Sequence, residues 1–179
     1  MSASPPTPST AAASSRPPVA ITTIICVDCV VGESVKIGNG TVLHPRVSIT
    51  SPHGAPIIIG EHNIIEEFVK IVNNTNEPMI IGSRNLIEVG SVIECKSIGN
   101  DNVIESKAKV SSGCTIGNGC SIGAGVTLYE NDIIDDQTII SGPSLNRMKS
   151  SLPLDIHSGL HEKHLQELCR MLPQFHNMK

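Results

Sequence analysis

The chain has 179 residues, enough for one domain with tails. Its formal net charge of −4 and isoelectric point near 5.9 give no electrostatic argument for binding to nucleic acid or to an anionic membrane. Aromatic residues make up 2% of the sequence and no apolar run approaches transmembrane length, which excludes a core built on large rings and a membrane-inserted helix.

The first 18 residues are rich in Pro, Ser, Ala and Thr, and Arg16 is their only charged side chain. A segment of this composition cannot bury enough apolar surface to fold, so we predict a disordered tail over 1–18. The segment lacks the apolar centre of a signal peptide, and a mitochondrial presequence would carry more Arg. We therefore expect a cytoplasmic protein.

A six-residue repeat of aliphatic residues follows and runs through the middle of the chain. An α-helix does not have this period, and an ordinary sheet has no reason to repeat at six. Hexapeptide repeats are typical of a parallel β-helix, in which short strands coil into a prism and neighbouring coils stack. The repeat predicts an all-β, left-handed parallel β-helix over 19–142. Its nineteen positions are Ile25, Val31, Ile37, Leu43, Ile49, Ile59, Ile65, Ile71, Ile81, Ile87, Ile93, Ile98, Ile104, Val110, Ile116, Ile122, Leu128, Ile134 and Ile140.

Three hexads per coil divide the repeat among three faces, A, B and C, which start at Ile25, Val31 and Ile37. This count gives about six triangular coils. Seven of the aliphatic positions are followed directly by Gly. Gly and Asn near the corners supply left-handed backbone conformations at low cost, as the corners of such coils require.

The repeat is interrupted three times, always between faces B and C. The intervals Ile49–Ile59 and Ile71–Ile81 each span ten residues, and Ile93–Ile98 spans five. One edge of the prism should therefore carry two stacked loops beside a tightened corner, and loops on one edge of a repeat array often form its binding face. The candidate partner-binding residues on these loops are His53, Asn74 and Asn76.

The repeat stops near Gly142, and the pattern changes again toward the C-terminus. We predict a linker over 143–157 and an amphipathic α-helix with a short tail over 158–179, because leucines recur there at helical spacing. The apolar stripe of this helix needs a partner. A side of the prism or the open edge of the last coil would provide one.

Six cysteines are present, and Cys26 and Cys29 form a CxxC pair. A second CxxC and a paired His motif are both missing, so the pair is a weak zinc or redox signal. Cys29, Cys114 and Cys120 occupy the small inward position of their hexads. Core packing in a reduced protein is the favoured interpretation.

Enzymes built from hexapeptide repeats are commonly acyltransferases or carbonic anhydrases of the gamma class, both usually trimeric. The three histidines of the carbonic anhydrase pattern align with Val72, Glu88 and Ile93, and this set cannot bind zinc as three imidazoles would. We therefore predict no metal, no cofactor and no catalytic residue. A trimeric enzyme of either kind remains the alternative.

Glu66, Glu88 and Glu105 each follow a face-A aliphatic residue in three successive coils. Carboxylates in this register should stack outward about 4.8 Å apart, which is unfavourable unless something compensates. Either nearby lysines neutralise them, or they form an acidic strip that docks a basic partner. Three asparagines just before these strands are expected to form an amide ladder at the corner; they are Asn63, Asn85 and Asn102.

Several segments of the chain resemble the dynactin subunit 6 family. They are PIIIGEHNIIEEFVKIVNN from Pro56, PMIIGSRNLIEVGSVIECKSIGNDNVIESKAKV from Pro78, VLHP at 42–45, GPSLNRM at 142–148 and LCRMLPQFHNMK at 168–179. The resemblance implies a non-catalytic subunit that pairs with the related β-helical subunit 5 beside the pointed-end actin-related protein of dynactin. It further implies a heteromeric assembly, a cytoplasmic and cytoskeleton-associated location, and a contribution to adaptor or cargo targeting of dynein.

Overall fold

The computed structural model describes residues 22–151 and 153–175, so the tail predicted for 1–18 and the last four residues lie outside it. The described residues form short strands followed by one helix. The strands are β1 (Ile24–Ile25), β2 (Val30–Val31), β3 (Val35–Ile37), β4 (Val42–Leu43), β5 (Ser48–Thr50), β6 (Ile57–Ile59), β7 (Ile64–Ile65), β8 (Lys70–Val72), β9 (Met79–Ile81), β10 (Leu86–Ile87), β11 (Val92–Ile93), β12 (Ser97–Ile98), β13 (Val103–Ile104), β14 (Lys109–Val110), β15 (Thr115–Ile116), β16 (Ser121–Ile122), β17 (Thr127–Leu128), β18 (Ile133–Ile134), β19 (Thr138–Ser141) and β20 (Asn146–Lys149), and the helix is α1 (Leu154–Phe175).

Every third strand belongs to the same parallel sheet, which confirms three hexads per coil and the predicted left-handed β-helix. Face A contains β1, β4, β7, β10, β13, β16 and β19, with β20 added at its end; face B runs from β2 to β17 and face C from β3 to β18. The register places each aliphatic position directly on its counterpart in the next coil, as for Ile25 on Leu43 and Leu43 on Ile65. The aliphatic residues therefore form one continuous column inside the prism.

The corner between faces C and A explains most of the glycines that follow an aliphatic residue. A Cβ at Gly38 would lie 2.5 Å from the carbonyl carbon of Gly60, and a Cβ at Gly82 would lie 2.5 Å from the carbonyl oxygen of Gly99. A Cβ atom essentially never makes non-bonded contacts this short, so any larger residue would push consecutive coils apart. Glycine at this corner is a requirement of stacking.

The predicted asparagine ladder is present at the same corner. The backbone N–H of Asn85 donates to Oδ1 of Asn63 at 2.9 Å, and the N–H of Asn102 donates to Oδ1 of Asn85 at 3.0 Å. The N–H of Cys120 continues the ladder to Oδ1 of Asn102 at 2.7 Å. Each buried amide thus satisfies a backbone donor of the next coil, which is a structural role.

The segment predicted as a linker over 143–157 contains ordered structure. A reverse turn with positive φ at Gly142 and Leu145 brings β20 back antiparallel to β19, so the chain itself pairs the open edge of face A. Leu145 packs against the end of the aliphatic column. The helix begins at Leu154, four residues before the predicted start, and continues two residues past Pro173. No helix within 22–151 and 153–175 has the length and hydropathy needed to span a membrane.

The helix packs on a side of the prism, which was one of the two placements expected. Leu165 and Leu172 are buried against the outward side chains of face A, which are Ile24, Val42 and Ile64. Two polar contacts fix the other half of the helix. Ser158 Oγ donates to Asp101 Oδ1 at 3.0 Å, and His161 Nε2 lies 2.6 Å from the carbonyl oxygen of His62.

Candidate interaction surfaces

The three faces of the prism present different surfaces to solvent. Face A is covered by α1, and face B carries mainly Ser, Thr and Lys side chains outward. Face C exposes Ile58 by 40% and Ile80 by 50%, on neighbouring strands in direct register. Exposed isoleucines in adjacent register positions form an apolar ladder, and apolar side chains clustered on an exposed surface favour contact with another protein.

The two insert loops lie on the edge between faces B and C, stacked as the repeat breaks predict. The backbone N–H of Met79 donates to the carbonyl oxygen of Pro56 at 2.9 Å. The side chain of Asn73 is buried and ties the loops together, since its Nδ2 donates to the carbonyl oxygens of Pro56 at 3.3 Å and Glu77 at 2.9 Å. The loops are therefore held in a defined shape.

The candidate residues on the loops are all exposed: His53, Asn74 and Asn76. Asn74 Nδ2 makes a long contact of 3.4 Å to Glu94 Oε1. The loops lead directly into β6 and β9, which carry the exposed isoleucines. The exposed loop residues and the two isoleucines form one surface, which we call the loop–ladder surface: His53, Asn74, Asn76, Ile58 and Ile80.

The glutamate ladder has a structural role that the sequence did not reveal. Each carboxylate accepts a hydrogen bond from a backbone N–H at the corner of the following coil. Glu66 Oε2 accepts from Val89 at 3.1 Å, Glu88 Oε2 accepts from Ser106 at 2.9 Å, and Glu105 Oε2 accepts from Ala124 at 3.0 Å. The ladder therefore caps the turns of three successive coils.

Burial and the neighbouring Glu88 carboxylate raise the pKa of Glu66, while the hydrogen bond from Val89 opposes this shift. Lysines do not supply the compensation. Lys109 pairs with Glu94 at 3.7 Å, and no lysine in the described part of the chain lies within ion-pair distance of the three carboxylates. Backbone hydrogen bonds therefore replace the lysine neutralisation that was one of the two expectations. The second expectation, contact with a basic partner, stays a prediction.

The positions aligned with the carbonic anhydrase histidines do not converge on a site. Ile93 is fully buried in the aliphatic column, and Glu88 is engaged by both the N–H and the hydroxyl of Ser106. Among residues 22–151 and 153–175 no group of three His, Cys, Asp or Glu side chains is placed to hold a metal ion.

Cys29, Cys114 and Cys120 lie in the core, as predicted for the small inward slot, and Cys26 and Cys95 are buried there as well. Burial disfavours the thiolate and raises the pKa of Cys26 to about 11 and that of Cys95 to about 12. Cys29 Sγ donates to the carbonyl oxygen of His44 at 3.0 Å. Thiols of this kind are poor nucleophiles and poor metal ligands at neutral pH.

His44 is a largely buried histidine that contacts a carboxylate. Its Nδ1 lies 3.0 Å from Glu67 Oε1, and its Nε2 is buried without a hydrogen-bond partner among the described residues. A carboxylate that orients an imidazole is also found in acyl-transfer sites. Here the imidazole is 8% exposed and its Nε2 is buried.

One surface feature was missed by the sequence analysis. Phe68 lies at the corner between faces A and B with a positive φ of 61°, and it is half exposed. Arg46, also at positive φ, stacks on it with Cζ 5.2 Å from the ring centroid. The sequence could have pointed to Phe68, because it is an aromatic residue at a hexad position where two other coils have Gly.

Comparison with known proteins gives one family-model match and several close sequence relatives. The family described as bacterial transferase hexapeptide (six repeats) matches residues 96–130. Dynactin subunit 6 of Dictyostelium discoideum is 50% identical over 178 residues, covering 97% of this chain and 94% of that protein. Dynactin subunit 6 of Danio rerio is 34% identical over 173 residues, covering 90% of this chain and 86% of that protein.

Similar solved structures are enzymes of low sequence identity. An N-acyltransferase from Bacillus cereus superposes with a TM-score of 0.66 at 12% identity, covering 82% of this chain and 88% of that chain. A UDP-N-acetylglucosamine acyltransferase from Bacteroides fragilis gives 0.58 at 15% identity, covering 80% and 70%. At these identities the likeness concerns the fold alone.

Proposed function

Because the chain belongs to the dynactin subunit 6 family, we propose that it is a non-catalytic structural subunit of dynactin that acts through protein contacts. It pairs with the related β-helical subunit 5 beside the pointed-end actin-related protein, in the cytoplasm and on the cytoskeleton. Through this position it contributes to adaptor or cargo targeting of dynein. Membership of the family already makes the chain a dynactin subunit. What we propose in addition is its pairing with subunit 5, its position beside the pointed-end actin-related protein and its lack of catalytic activity.

The observation that carries the pairing is the loop–ladder surface. Face A is occupied by the chain's own helix, whereas Ile58 and Ile80 remain exposed beside two loops that are fixed by Asn73. Apolar side chains rimmed by polar loops are typical of protein interfaces, where the centre is desolvated and the rim stays polar. This surface is therefore the proposed contact with subunit 5.

The absence of catalysis is supported by the chemistry of the candidate groups. The most buried thiols have raised pKa values, His44 is enclosed, and Glu88 accepts two hydrogen bonds from Ser106. None of these groups combines exposure with activation, and both are needed for acid–base or nucleophilic work.

The glutamate ladder is proposed as a second, weaker contact for a basic segment of a neighbouring subunit. Glu66, Glu88 and Glu105 are half-buried, and each uses one carboxylate oxygen to cap a turn. Three negative charges within two coil spacings still produce a field that attracts a basic partner. Its contribution is to orientation and association rate more than to affinity.

The test is co-purification of subunit 5 with variants of the full chain. Ile80→Lys places a charge in the centre of the proposed contact and is expected to reduce recovery of subunit 5 by ~10-fold or more. Val30→Lys is the matched control, because Val30 is 56% exposed on an outward strand position of face B. Circular dichroism should show that both variants fold. Equal recovery with both variants would contradict the pairing surface.

The alternative function, a trimeric acyltransferase, is favoured by the names of the fold neighbours alone. Native mass spectrometry of the isolated chain distinguishes the two. A monomer that gains mass only with subunit 5 supports the structural role, and a homotrimer that binds an acyl coenzyme A supports the enzyme.

A further inference from the structure

The helix covers face A over only part of its length. Leu165 and Leu172 close over the outward side chains of the first three coils. In the fourth and fifth coils the outward side chains are Leu86 and Val103, which lie in direct register and are only half-buried. Leu160, on the N-terminal half of α1, is 64% exposed beside them. The helix and the sheet thus present apolar side chains to the same opening.

Two polar contacts hold this half of the helix away from the middle of face A. The hydroxyl of Ser158 donates to Asp101, and His161 Nε2 contacts the carbonyl oxygen of His62. Both acceptor residues lie at the corner between faces C and A, where the backbone has positive φ. Asp101 is itself fixed by Arg84, whose Nε and Nη2 each donate to its carboxylate at 2.7 Å. The N-terminal half of α1 therefore follows the corner, and the opening is a fixed part of the fold.

We call this opening the face-A groove. Its floor is Leu86 and Val103, and one wall is formed by Leu160, His161 and His164 of the helix. The groove has a volume of about 340 Å³, which is large enough for a few side chains of a docking segment. A groove with an apolar floor between a helix and a sheet is the kind of surface that accepts the apolar face of another helix.

The groove is bordered by the glutamate ladder on the side opposite the helix. Glu88 and Glu105 each lie two residues beyond the floor residue of their coil, and alternate side chains along a strand point to the same side. At the other border Arg84 and Asp101 form a 2.7 Å ion pair, which carries no net formal charge. The groove therefore has an apolar floor and one acidic border.

We propose that the face-A groove binds a basic amphipathic α-helix of a neighbouring dynactin subunit. The proposal rests on the assembly role given above and specifies the partner of the glutamate ladder. The apolar side of the incoming helix covers Leu86, Val103 and Leu160, and this burial supplies most of the affinity. Its Lys or Arg side chains face Glu88 and Glu105, and these charges fix its orientation.

The spacing of the coils favours a helix over an extended segment. Coils are stacked about 4.8 Å apart and an α-helix rises about 5.4 Å per turn, so basic residues on successive turns stay close to successive carboxylates. Side chains on one side of an extended segment are about 6.6 Å apart and lose this match after one step. Strand addition also needs a free sheet edge, and β10 and β13 are each paired on both sides.

The test is photo-crosslinking in assembled dynactin from a benzophenone amino acid at position 160. The expected adduct joins this position to a segment of a neighbouring subunit that has apolar residues at helical spacing and Lys or Arg beside them. The matched control is position 171 in a separate variant. Met171 is 40% exposed on the same helix and lies about three turns further along it, so the same segment should not be captured there.

The charge contribution is tested by Glu88→Gln with Glu105→Gln in the chain that carries the crosslinker at position 160. Glutamine keeps an acceptor for the turn N–H groups and removes both charges. The yield of the adduct should fall several-fold at low salt and much less at high salt. Glu94→Gln is the matched control, because Glu94 follows a face-B strand and pairs with Lys109. A yield that the double substitution leaves unchanged would contradict the acidic border as a docking element.

Three further results would overturn the proposal. An adduct between position 160 and residues 1–21 or 176–179 of the same chain would mean that the chain covers its own groove. No adduct with any neighbouring subunit would mean that the groove binds none of them. An adduct with an acidic segment, or with one that lacks helical spacing, would contradict the chemistry of the partner. If subunit 5 still co-purifies in these cases, only this inference fails, whereas a chain that does not enter dynactin contradicts the proposed function as well.

Discussion

Faces A and C are built by the same repeat from similar residues, yet they have different surfaces. Val42 and Ile64 point outward on face A and are fully buried, whereas Ile58 and Ile80 point outward on face C and are exposed. The difference comes from the helix, which lies along face A and places Leu165 and Leu172 over it. A β-helix therefore has several apolar faces by construction, and the additions outside the repeat determine which one remains free for a partner.

The largest expected effect comes from uncovering face A. Leu165→Ala should lower the free energy of unfolding by about 2–4 kcal/mol, because it leaves a cavity between the helix and the sheet. Leu160, on the same helix, is 64% exposed, and Leu160→Ala should cost about 0.5 kcal/mol or less. Urea unfolding of both variants measures the difference. Similar losses would mean that the helix does not cover face A as described.

The docking of the helix on face A should depend on pH. Burial lowers the pKa of His161 where the helix contacts the C–A corner, and the nearby His164 adds to this. The hydrogen bond to the backbone of His62 opposes the shift, as do the charges of Asp101 and Glu162. The folded state thus takes up a proton less readily than the unfolded chain, whose histidines titrate near pH 6.5. The stability contributed by neutral His161 is complete above that pH. It declines as the pH falls below it, and it levels off once the folded-state pKa is passed.

Helix docking between pH 8 and pH 5 can be followed by urea unfolding of the wild type and of His161→Gln. Glutamine keeps a donor for the carbonyl oxygen of His62 and does not titrate, so the variant should lose less stability than the wild type as the pH falls. Burial acts to raise the pKa of Asp101, but the hydrogen bonds from Arg84 and Ser158 lower it overall, so Asp101 responds below this range. Parallel pH profiles would contradict the role assigned to His161.

A smaller effect is expected at the glutamate ladder. The triple variant Glu66→Gln, Glu88→Gln and Glu105→Gln keeps an oxygen acceptor for each turn N–H and removes the three charges. Thermal stability should change little. If the ladder docks a basic partner, association with the rest of dynactin should slow several-fold at low salt and much less at high salt. An unchanged association rate at low salt would leave the ladder with its capping role alone.

The hexad spacing predicted the fold because the side chains inside the column leave few alternatives. Ile25, Leu43 and Ile65 can stack in register only if three hexads make one coil, and the glycines at the C–A corner follow from the same stacking. The position of the insert loops followed by counting from Ile49 and Ile71. When the role of a residue depends only on the equivalent residue in the next coil, the six-residue spacing is enough to predict that role.

Features that depend on contacts outside the repeat could not be predicted in this way. The strand β20 arises from a reverse turn at Gly142 and Leu145, which carries no hexad signal. The capping role of Glu66 depends on the distance to the N–H of Val89, and sequence spacing shows the stacking of carboxylates without showing their acceptor geometry. Ile80 is exposed because the helix covers another face. The hydrophobic pattern of the sequence does not show which face the helix covers.

The most direct test of the account is site-specific photo-crosslinking in assembled dynactin. A benzophenone amino acid placed at position 80 on face C is compared with one at position 30 on face B and one at position 160 on the helix. A crosslink to subunit 5 is expected from position 80 and none from position 30. A crosslink to subunit 5 from position 30 or 160, with none from position 80, would contradict the claim that the uncovered face C is the partner surface.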